Sequence, residues 1–367
     1  MMKLLFALSG FHKHERGAEV ALMSVAEALA ATGDEVTLMG SGYARPGTSY
    51  GFEHVSSLSR ERFEKWPHFP PFRSETAWED ASFALNLLRK YNPADYDAVI
   101  TCAFPFAHWA LRRPAVKKPL QIFVTQNGDW PAFDNQSEYR TFSCDGLVCT
   151  NPDYYERNRA KWNCALVPNG VDLARFRPGH GDRGRFGLPT DKKIVLMVSA
   201  FIESKRVLEG IRAVSKLDNA FLVVAGDGPL RNEAQSLADA LMPGRFKRVS
   251  LAATDMPELY QSADTFLHLS LLESFGNVFL EAWASGLPIV GHDTDRLRWI
   301  LGDYGQLCDT EDQPALVSAI GAAISTPTHT AGEGINRFAW STIAQEYRSF
   351  ISRLQTGTSR SSIDGNS

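Results

Sequence analysis

Short hydrophobic runs alternate along the chain with stretches in which hydrophobic residues recur every three or four positions. The runs are β-branched or aromatic and are bounded by Gly, Asp or Pro, which is typical of buried parallel strands. The longer stretches predict helices; over 17–31, for example, Leu22, Val25, Ala26 and Leu29 form one apolar face and Gly33 follows as a stop. The predicted strands lie at 3–8, 36–39, 98–102, 120–124, 146–150, 164–167, 194–198, 221–225, 249–251, 265–269 and 288–290.

This alternation occurs in both halves of the chain and predicts an α/β fold of two doubly wound, Rossmann-like domains. Residues 168–185 contain Pro, Gly and charged residues without periodicity, so we expect the boundary there. The predicted organisation is an N-terminal domain over 1–168, a linker over 169–184, a C-terminal domain over 185–337 and a final helix over about 340–355. The polar tail 356–367 is predicted to be disordered.

Composition narrows the function classes. The chain has 367 residues, of which 44% are hydrophobic and 22% are charged, as in packed globular proteins. The net charge of −4 gives no support to a nucleic-acid partner. Five cysteines without a CxxC pair argue against a disulfide framework or a zinc site and favour the cytoplasm. Residues 1–8 are too short for a secretory signal, and no apolar stretch is long enough to span a bilayer.

The segment 271–288 carries the most informative chemistry. It follows a predicted strand and opens a helix near Phe275, Gly276 and Asn277, whose backbone N–H groups would lie at the positive end of the helix and favour phosphate. Glu273 precedes this end, where it can accept hydrogen bonds from sugar hydroxyls, and Glu281 lies where it can hold the two hydroxyls of a ribose. Taken alone, each glutamate would be interpreted as a helix cap or a solvated helix residue.

Seven residues separate Glu273 from Glu281, and this E-x7-E element resembles that of the retaining glycosyltransferases of family 4, the group 1 glycosyltransferases, which have the GT-B fold. In that fold two Rossmann-like domains face a central cleft, and the last helix crosses back to the N-terminal domain. Other stretches resemble the family in the same order: VPNGVDLARFRP (167–178), VSAFIESKR (198–206), VVAGDGP (223–229), LYQSADTFLHLS (259–270) and FAWSTIAQEYRSFI (338–351).

The resemblance implies a donor site in the C-terminal domain. Lys205 and Arg206 would neutralise the leaving diphosphate, with a solvated surface as the alternative for Arg206. Gly226 lies in the matching glycine loop. The family usually has an arginine where this chain has Ala200, so part of the expected positive charge is missing.

The N-terminal half resembles the family less closely. Gly17 and Glu19 match its loop after the first strand, although Ala18 replaces a second glycine, and an ordinary strand-to-helix turn is the alternative. Asn127 stands where the family often has a histidine and could hydrogen-bond the donor sugar through its amide. The basic loop 11–16 would suit a phosphorylated or acidic acceptor, or is simply solvated.

These matches imply a hexosyltransferase of glycan or polysaccharide biosynthesis that uses a nucleoside-diphosphate-sugar, UDP- or GDP-linked, and a saccharide or lipid-linked acceptor. Glu273, Lys205 and Asn127 are the predicted catalytic residues. The family implies retention by front-side displacement, without a required cofactor or metal; the two D-x-D strings at 95–97 and 293–295 are interpreted as turns or caps. A same-fold epimerase or hydrolase and an inactive binding homologue remain the alternatives. Peripheral contact with the inner membrane face and the oligomeric state stay open.

Overall fold

The computed structural model of the chain describes residues 1–103, 105–126, 142–271, 273–327 and 331–357. Its internal contacts divide the chain into two compact units. The first comprises Met1–Asn169 and Trp340–Ser367, and the second comprises Gly170–Ala339. Each unit is an α/β domain around a parallel sheet, as the pattern of hydrophobic residues predicts.

The sheet of the first unit has the strand order β3-β2-β1-β4-β5-β6-β7, with every pair parallel. The order reverses between β1 and β4, which is the Rossmann arrangement. Its strands are β1 (Lys3–Ala7), β2 (Glu35–Gly40), β3 (Gly51–His54), β4 (Ala98–Cys102), β5 (Leu120–Val124), β6 (Gly146–Cys149) and β7 (Cys164–Leu166). Its helices are α1 (Gly17–Ala31), α2 (Glu75–Lys90), α3 (Pro105–Leu111), α4 (Pro152–Asn158) and α11 (Trp340–Gln355), with 3₁₀ turns at Arg60–Phe63 and Pro93–Asp95.

The last helix belongs to the first unit although it follows the second in sequence. Ile343, Tyr347, Phe350 and Ile351 lie along one face of α11 and are buried in the same core as α1 and the strands β1 and β4. Burying each such side chain contributes roughly 1.5–3 kcal/mol. This apolar face therefore holds α11 on the first unit.

The sheet of the second unit repeats the arrangement with the order β10-β9-β8-β11-β12-β13. Its strands are β8 (Lys193–Val198), β9 (Ala220–Ala225), β10 (Phe246–Val249), β11 (Thr265–His268), β12 (Ile289–His292) and β13 (Gly305–Cys308). Its helices are α5 (Val207–Val214), α6 (Arg231–Leu241), α7 (Met256–Gln261), α8 (Asn277–Ala284), α9 (Asp295–Leu301) and α10 (Gln313–Ser325). Its 3₁₀ turns are Glu203–Lys205, Ala253–Asp255, Gly302–Tyr304 and Glu333–Phe338.

The strands that the sequence pattern misses or misplaces lie at sheet edges. The strands β3 and β13 were not predicted, and β10 lies at Phe246–Val249 rather than at 249–251. All three pair on one side only, and none is buried along its whole length. A partly exposed edge strand does not need a continuous hydrophobic run, so the pattern carries no signal for it.

The segment 169–184 is expected to be a linker, but from Gly170 onward it is part of the second unit. Val171 and Phe176 are buried in the core of that unit, and the Val171 N–H donates to the Phe338 carbonyl at 2.8 Å. Irregular backbone thus packs as part of the domain. Of the predicted tail, residues 358–367 lie outside the described residues, while Thr356 donates to the Ser352 carbonyl at the end of α11.

Within the described parts of the chain, no helix is both long and apolar enough to cross a bilayer.

Candidate functional site

The residues predicted to hold a donor gather at the carboxyl edge of the second sheet. Lys205 follows β8, and Glu273 follows β11; these are the neighbouring strands between which the strand order reverses. In open parallel sheets, loops at such a switch point diverge and leave a crevice for ligands. The fold therefore places two of the predicted residues where a ligand site is expected.

Glu273 is the centre of this cluster. Its Oε1 accepts a hydrogen bond from Lys205 Nζ and another, at 3.0 Å, from Nε2 of His268, the last residue of β11. Burial acts to raise the pKa of Glu273, but the hydrogen bonds and charges of His268 and Lys205 outweigh it and lower the pKa to about 2. Glu273 is therefore a carboxylate at every physiological pH, and its side chain is still 22% exposed.

His268 is a site residue that the sequence does not single out. Its side chain is only 2% exposed, and its ring packs edge-on to Phe279 at 4.9 Å between centroids. Because an ionised carboxylate only accepts, the His268 Nε2–H donates to Glu273. The available signal is one ionisable residue inside the apolar run TFLHLS, and only the folded strand shows that this residue contacts Glu273.

The turn before α8 is formed by Phe275 and Gly276. Gly276 has φ +90°, a left-handed conformation that favours glycine, and a Cβ there would lie 2.8 Å from the Phe279 ring. Phe275 is 3% exposed and packs in the core, so only its backbone is available to the turn. The helix begins at Asn277, and its first-turn N–H groups form the positive end described above.

Glu281 lies one turn further along α8 and is half-buried. Its Oε2 accepts a hydrogen bond from the Tyr260 hydroxyl at 2.8 Å. Burial raises the pKa of Glu281 to about 7, while the Tyr260 hydrogen bond and the charge of Arg175 act in the opposite direction. Tyr260 and Arg175, like His268, are not foreseen as site residues; both lie in stretches that the sequence matches to the family without a role.

Arg206 is held by protein groups. Its Nη1 donates to the Thr310 hydroxyl at 2.9 Å and to the Leu269 carbonyl at 3.4 Å, and its Nη2 donates to the Thr310 carbonyl at 3.0 Å. Arg206 also adopts φ +54°, so its backbone joins the 3₁₀ turn to α5 in a conformation unusual for a side-chain-bearing residue. These bonds hold the start of α5 against Leu269, just after β11, and Thr310, just after β13, and a direct contact of Arg206 with a diphosphate stays a prediction.

Gly226 fits where no larger residue would. It follows β9 with φ +152°, and a Cβ there would lie 2.1 Å from the Ser199 carbonyl oxygen. The loop after β9 therefore packs directly on the loop after β8, which contains Ala200 and leads to Lys205. The position requires glycine for close packing of two loops, whether or not Gly226 also contacts a ligand.

In the first unit, the predicted residues Gly17 and Glu19 open α1. Glu19 is 3% exposed, and its Oε1 accepts from Nε of Arg16 at 3.0 Å and also from Nη2. A Cβ on Gly10 would lie 2.1 Å from the same oxygen, so the loop after β1 closes over the carboxylate. This burial does not favour a direct donor contact by Glu19, which stays a prediction, whereas Gly17 is exposed.

The basic side chains of the loop after β1 also have protein partners. Lys13 Nζ donates to Glu79 Oε1 at 2.7 Å. His12 is buried, with Nδ1 donating to the Tyr43 carbonyl and Nε2 accepting from the Tyr50 hydroxyl, each at 2.8 Å. Burial lowers the pKa of His12, so the ring is neutral near pH 7. The loop is thus less cationic than its sequence indicates.

Asn127, the third predicted catalytic residue, lies outside the described residues. Across the described ranges, no group of three or more His, Cys, Asp or Glu side chains is arranged to hold a metal ion. Of the two D-x-D strings, Asp97 accepts from the Lys3 N–H at 2.8 Å, and Asp293 pairs with Arg298 at 2.6 Å. Both aspartates therefore have structural partners.

Two family models match the chain. The model described as Glycosyltransferase Family 4 matches residues 16–175, and the one described as Glycosyl transferases group 1 matches residues 181–334. The second matched range contains the cluster around Glu273, and the first begins at Arg16, immediately before α1.

Among curated proteins, the chain is 29% identical over 201 residues to the lipopolysaccharide core biosynthesis glycosyltransferase LpsE of Rhizobium meliloti (strain 1021), covering 54% of this chain and 58% of LpsE. It is 37% identical over 206 residues to the D-inositol 3-phosphate glycosyltransferase of Mycobacterium tuberculosis (strain F11), covering 51% of this chain and 42% of that protein. The chain therefore spans about half the length of the curated relatives it matches.

Solved structures share the fold. The sucrose-phosphate synthase of Thermosynechococcus elongatus superposes with a TM-score of 0.76 at 18% identity, covering 98% of this chain and 100% of that one. The Anabaena protein HepE, in a complex with UDP and glucose, superposes with a TM-score of 0.71 at 17% identity, covering 96% of this chain and 100% of its own. At these identities the likeness establishes the two-domain GT-B fold.

Proposed function

The chain belongs to the group 1 glycosyltransferases of family 4, and on that premise we propose that it transfers a sugar from a nucleoside-diphosphate-sugar to an acceptor hydroxyl with retention of configuration. The observation that supports this most is the contact between the Lys205 ammonium and the Glu273 carboxylate at the switch point of the second sheet. A cation that suits a diphosphate and a carboxylate that suits sugar hydroxyls then lie side by side. The donor needs both next to each other, because its sugar is bonded directly to its diphosphate.

In this proposal the second unit holds the donor. Lys205 and the first-turn N–H groups of α8 stabilise the negative charge of the diphosphate. Glu273 accepts hydrogen bonds from the sugar, and His268 keeps its carboxylate in place. Glu281 accepts hydrogen bonds from the ribose hydroxyls. Because the Lys205 ammonium contacts Glu273 directly, the donor would insert its own groups between the two side chains.

The proposed step is a front-side displacement. The acceptor oxygen forms a bond to the anomeric carbon while the bond from that carbon to the terminal phosphate oxygen breaks. The acceptor proton passes to the departing phosphate oxygen, so the products are the glycoside and the nucleoside diphosphate. Catalysis then depends on positioning and on stabilising charge at the diphosphate, and no group of the protein becomes covalently attached.

The finer assignments extend the same proposal. UDP is the first nucleotide to test because HepE, which has the same fold, was solved with UDP and glucose. A saccharide or lipid-linked saccharide is the proposed acceptor, since LpsE is named for lipopolysaccharide core biosynthesis. A cytoplasmic site of action is proposed from the cysteine content, and the first unit is proposed to hold the acceptor.

The experiment combines nucleotide binding with donor turnover. Thermal unfolding is measured with UDP, GDP, ADP and dTDP; a ligand at a hundredfold excess over its Kd stabilises the folded state by about 2.7 kcal/mol. We expect a shift with one diphosphate that is lost in Glu281→Ala. Tyr304→Phe is the control, because it removes a buried hydroxyl beside Trp283 on the same helix α8.

Turnover of the matching diphosphate-sugar then separates the candidate functions. A transferase releases the nucleoside diphosphate much faster when acceptor is present. Release without acceptor indicates a hydrolase, a changed sugar with an intact diphosphate bond indicates an epimerase, and binding without turnover indicates an inactive homologue. Any of these three results, or the absence of binding to every diphosphate, would contradict the proposed function.

A further inference from the structure

Tyr260 is a buried residue that reaches the proposed ribose site with one atom. It lies on α7 with 0% of its surface exposed. Its ring packs against Phe176 at 5.7 Å and against Phe266 at 5.8 Å between centroids, so the side chain is held by close packing with neighbouring rings. Its hydroxyl is therefore fixed relative to α8, where it meets the Glu281 carboxylate at 2.8 Å.

The direction of this hydrogen bond follows from charge. Burial raises the pKa of Tyr260 well above its ordinary value, so the hydroxyl keeps its proton. An ionised carboxylate has no proton to give, so the hydroxyl donates and Glu281 Oε2 accepts. A fixed donor on one oxygen restrains rotation of the carboxylate about its last bond. The other oxygen and the remaining lone pairs then have a defined direction in which to accept hydrogen bonds.

We infer that Tyr260 is a positioning residue for nucleotide binding: its hydroxyl orients the Glu281 carboxylate for the ribose hydroxyls of the donor and favours its ionised form. The inference rests on the proposed function of Glu281. Tyr260 touches no substrate atom in this scheme and acts only through the carboxylate. A residue that merely filled space at this position would leave the protonation of Glu281 unchanged.

Among the described residues, two groups from outside α8 act on the Glu281 carboxylate. Tyr260 on α7 donates to it, and the charge of Arg175, from the segment before β8, favours the ionised form. Arg175 is itself held by a hydrogen bond from Nη2 to the Ala253 carbonyl at 2.8 Å. Removing the tyrosine hydroxyl leaves one favourable group instead of two, so Glu281 should ionise at a higher pH.

The test is the pH dependence of nucleotide affinity in Tyr260→Phe. This variant keeps the ring and its packing. Affinity for the diphosphate that binds the wild-type chain, identified among UDP, GDP, ADP and dTDP, is measured calorimetrically from about pH 5.5 to about pH 9.5, a range that brackets the ionisation of a perturbed glutamate. We expect the midpoint of the affinity profile to rise by about one pH unit, binding to weaken about fivefold near pH 7 and about tenfold well below it, and affinity to recover at high pH.

Tyr304→Phe is the matched control. The Tyr304 ring stacks on Trp283 of α8 at 5.0 Å, and its buried hydroxyl has no hydrogen-bond partner among the described residues. Its affinity profile should superimpose on that of the wild-type chain. Thermal unfolding without nucleotide, measured for both variants, shows whether the loss of a buried hydroxyl has changed folding itself.

The outcomes distinguish failure of the positioning role of Tyr260 from failure of the proposed ribose contact of Glu281. If Glu281→Ala abolishes binding while Tyr260→Phe keeps both the affinity and the midpoint of the wild-type profile, the positioning role is wrong and the ribose role stands. An equal loss of affinity at every pH in Tyr260→Phe would also overturn the inference, since it indicates a packing defect. If Glu281→Ala binds as well as the wild-type chain, the assignment of Glu281 fails, and the positioning role fails with it.

Discussion

The loop after β1 in the first unit and the loop after β8 in the second both present a lysine to a glutamate, but the two glutamates differ in exposure. Lys13 and Glu79 have side chains that are 26% and 1% exposed, whereas Lys205 and Glu273 are 24% and 22% exposed. The two lysines are thus almost equally exposed, whereas the two carboxylates differ widely in exposure. Both pairs lie beyond the carboxyl ends of parallel strands, where ligands bind in such folds.

The difference indicates what each pair can do. Glu79 has no route to a ligand, so it anchors Lys13 and with it the loop after β1. Glu273 is accessible, and in the proposed function it exchanges the lysine for sugar hydroxyls while Lys205 contacts a phosphate. An ion pair whose carboxylate is buried is therefore a structural anchor. An ion pair in which both side chains stay partly exposed is a candidate ligand site.

Of the substitutions that test this comparison, we expect the largest change in activity from the removal of the Lys205 side chain. Lys205→Ala should lower kcat by about a hundredfold to a thousandfold, because the positive donor proposed for the leaving group is lost. The matched variant Lys13→Ala should leave nucleotide affinity unchanged and cost about 2 kcal/mol of stability, since it leaves the buried Glu79 without its charge partner. Steady-state turnover, nucleotide titration and urea unfolding measure these effects. Equal losses of nucleotide affinity in both variants would contradict the comparison.

Removing the negative charge of Glu273 or of Glu79 should have the next largest effect, on activity in the first case and on stability in the second. Glu273→Gln should lower kcat by about tenfold to a hundredfold with little change in nucleotide affinity, because hydrogen bonds to a charged group are worth roughly 1.5–3 kcal/mol. Glu79→Gln should lower the unfolding temperature and leave nucleotide affinity unaltered. Initial rates at saturating donor and differential scanning calorimetry test the pair. A variant at Glu273 with wild-type kcat would remove it from the site.

The pH dependence of stability should distinguish Glu281 from Glu273 in the second unit. Glu281 has its pKa raised by burial from 4.5 to about 7, so the folded state binds more protons than the unfolded state between these values. Its contribution to stability is therefore greatest at low pH and declines as pH rises toward 7. Nucleotide affinity should rise through the same window, by up to about tenfold per pH unit, because the proposed contact with the ribose requires the ionised carboxylate.

Glu273 should show the opposite sign. Its pKa is lowered from 4.5 to about 2 despite burial, by the hydrogen bonds and charges of His268 and Lys205, so its stabilising effect is present above pH 4.5 and is lost as pH falls toward 2. Urea unfolding of Glu281→Gln and Glu273→Gln across this range, each compared with the wild-type chain, measures the two slopes. Slopes of the same sign would contradict the assigned environments.

The smallest expected effect on the ligand is at Arg206. Arg206→Ala should lower stability by about 1–3 kcal/mol, because Thr310 and Leu269 lose their donors, and should change nucleotide affinity by less than about threefold. Chemical unfolding and calorimetric titration provide the two values. A tenfold loss of affinity at unchanged stability would instead place Arg206 on the diphosphate, as the sequence predicts.

Most of the fold could be predicted because buried parallel strands and amphipathic helices leave periodic signals. The helix α1 has the predicted bounds, Gly17–Ala31, and the central strands β4 and β5 match residue for residue. The prediction was incomplete at the edges: β3 and β13 are short and partly exposed, and no hydrophobic run marks them. The stretch after Gly170 looked like a linker because its buried Val171 and Phe176 follow no period.

The candidate site could be predicted only in part. The spacing of Glu273 and Glu281 and the presence of Lys205 are visible in the sequence, since both glutamates belong to one turn-helix unit. The contacts of His268 with Glu273 and of Tyr260 with Glu281 are not, because each joins residues from different elements. Nor does the sequence show that Arg206 and Lys13 are occupied by protein partners.

By itself, then, the sequence determined two parallel α/β sheets, the family and several residues of the candidate site, because hydrophobic period and local motif spacing are properties of neighbouring residues. Only the tertiary structure decided which charged groups are buried anchors and which stay exposed in the candidate site. That choice depends on burial and on partners more than sixty positions away, as in the pairs of Lys13 with Glu79 at a separation of 66 and of Lys205 with Glu273 at a separation of 68. Desolvation and long-range hydrogen bonds set the ionisation of a carboxylate, and neither exists until the strands have come together.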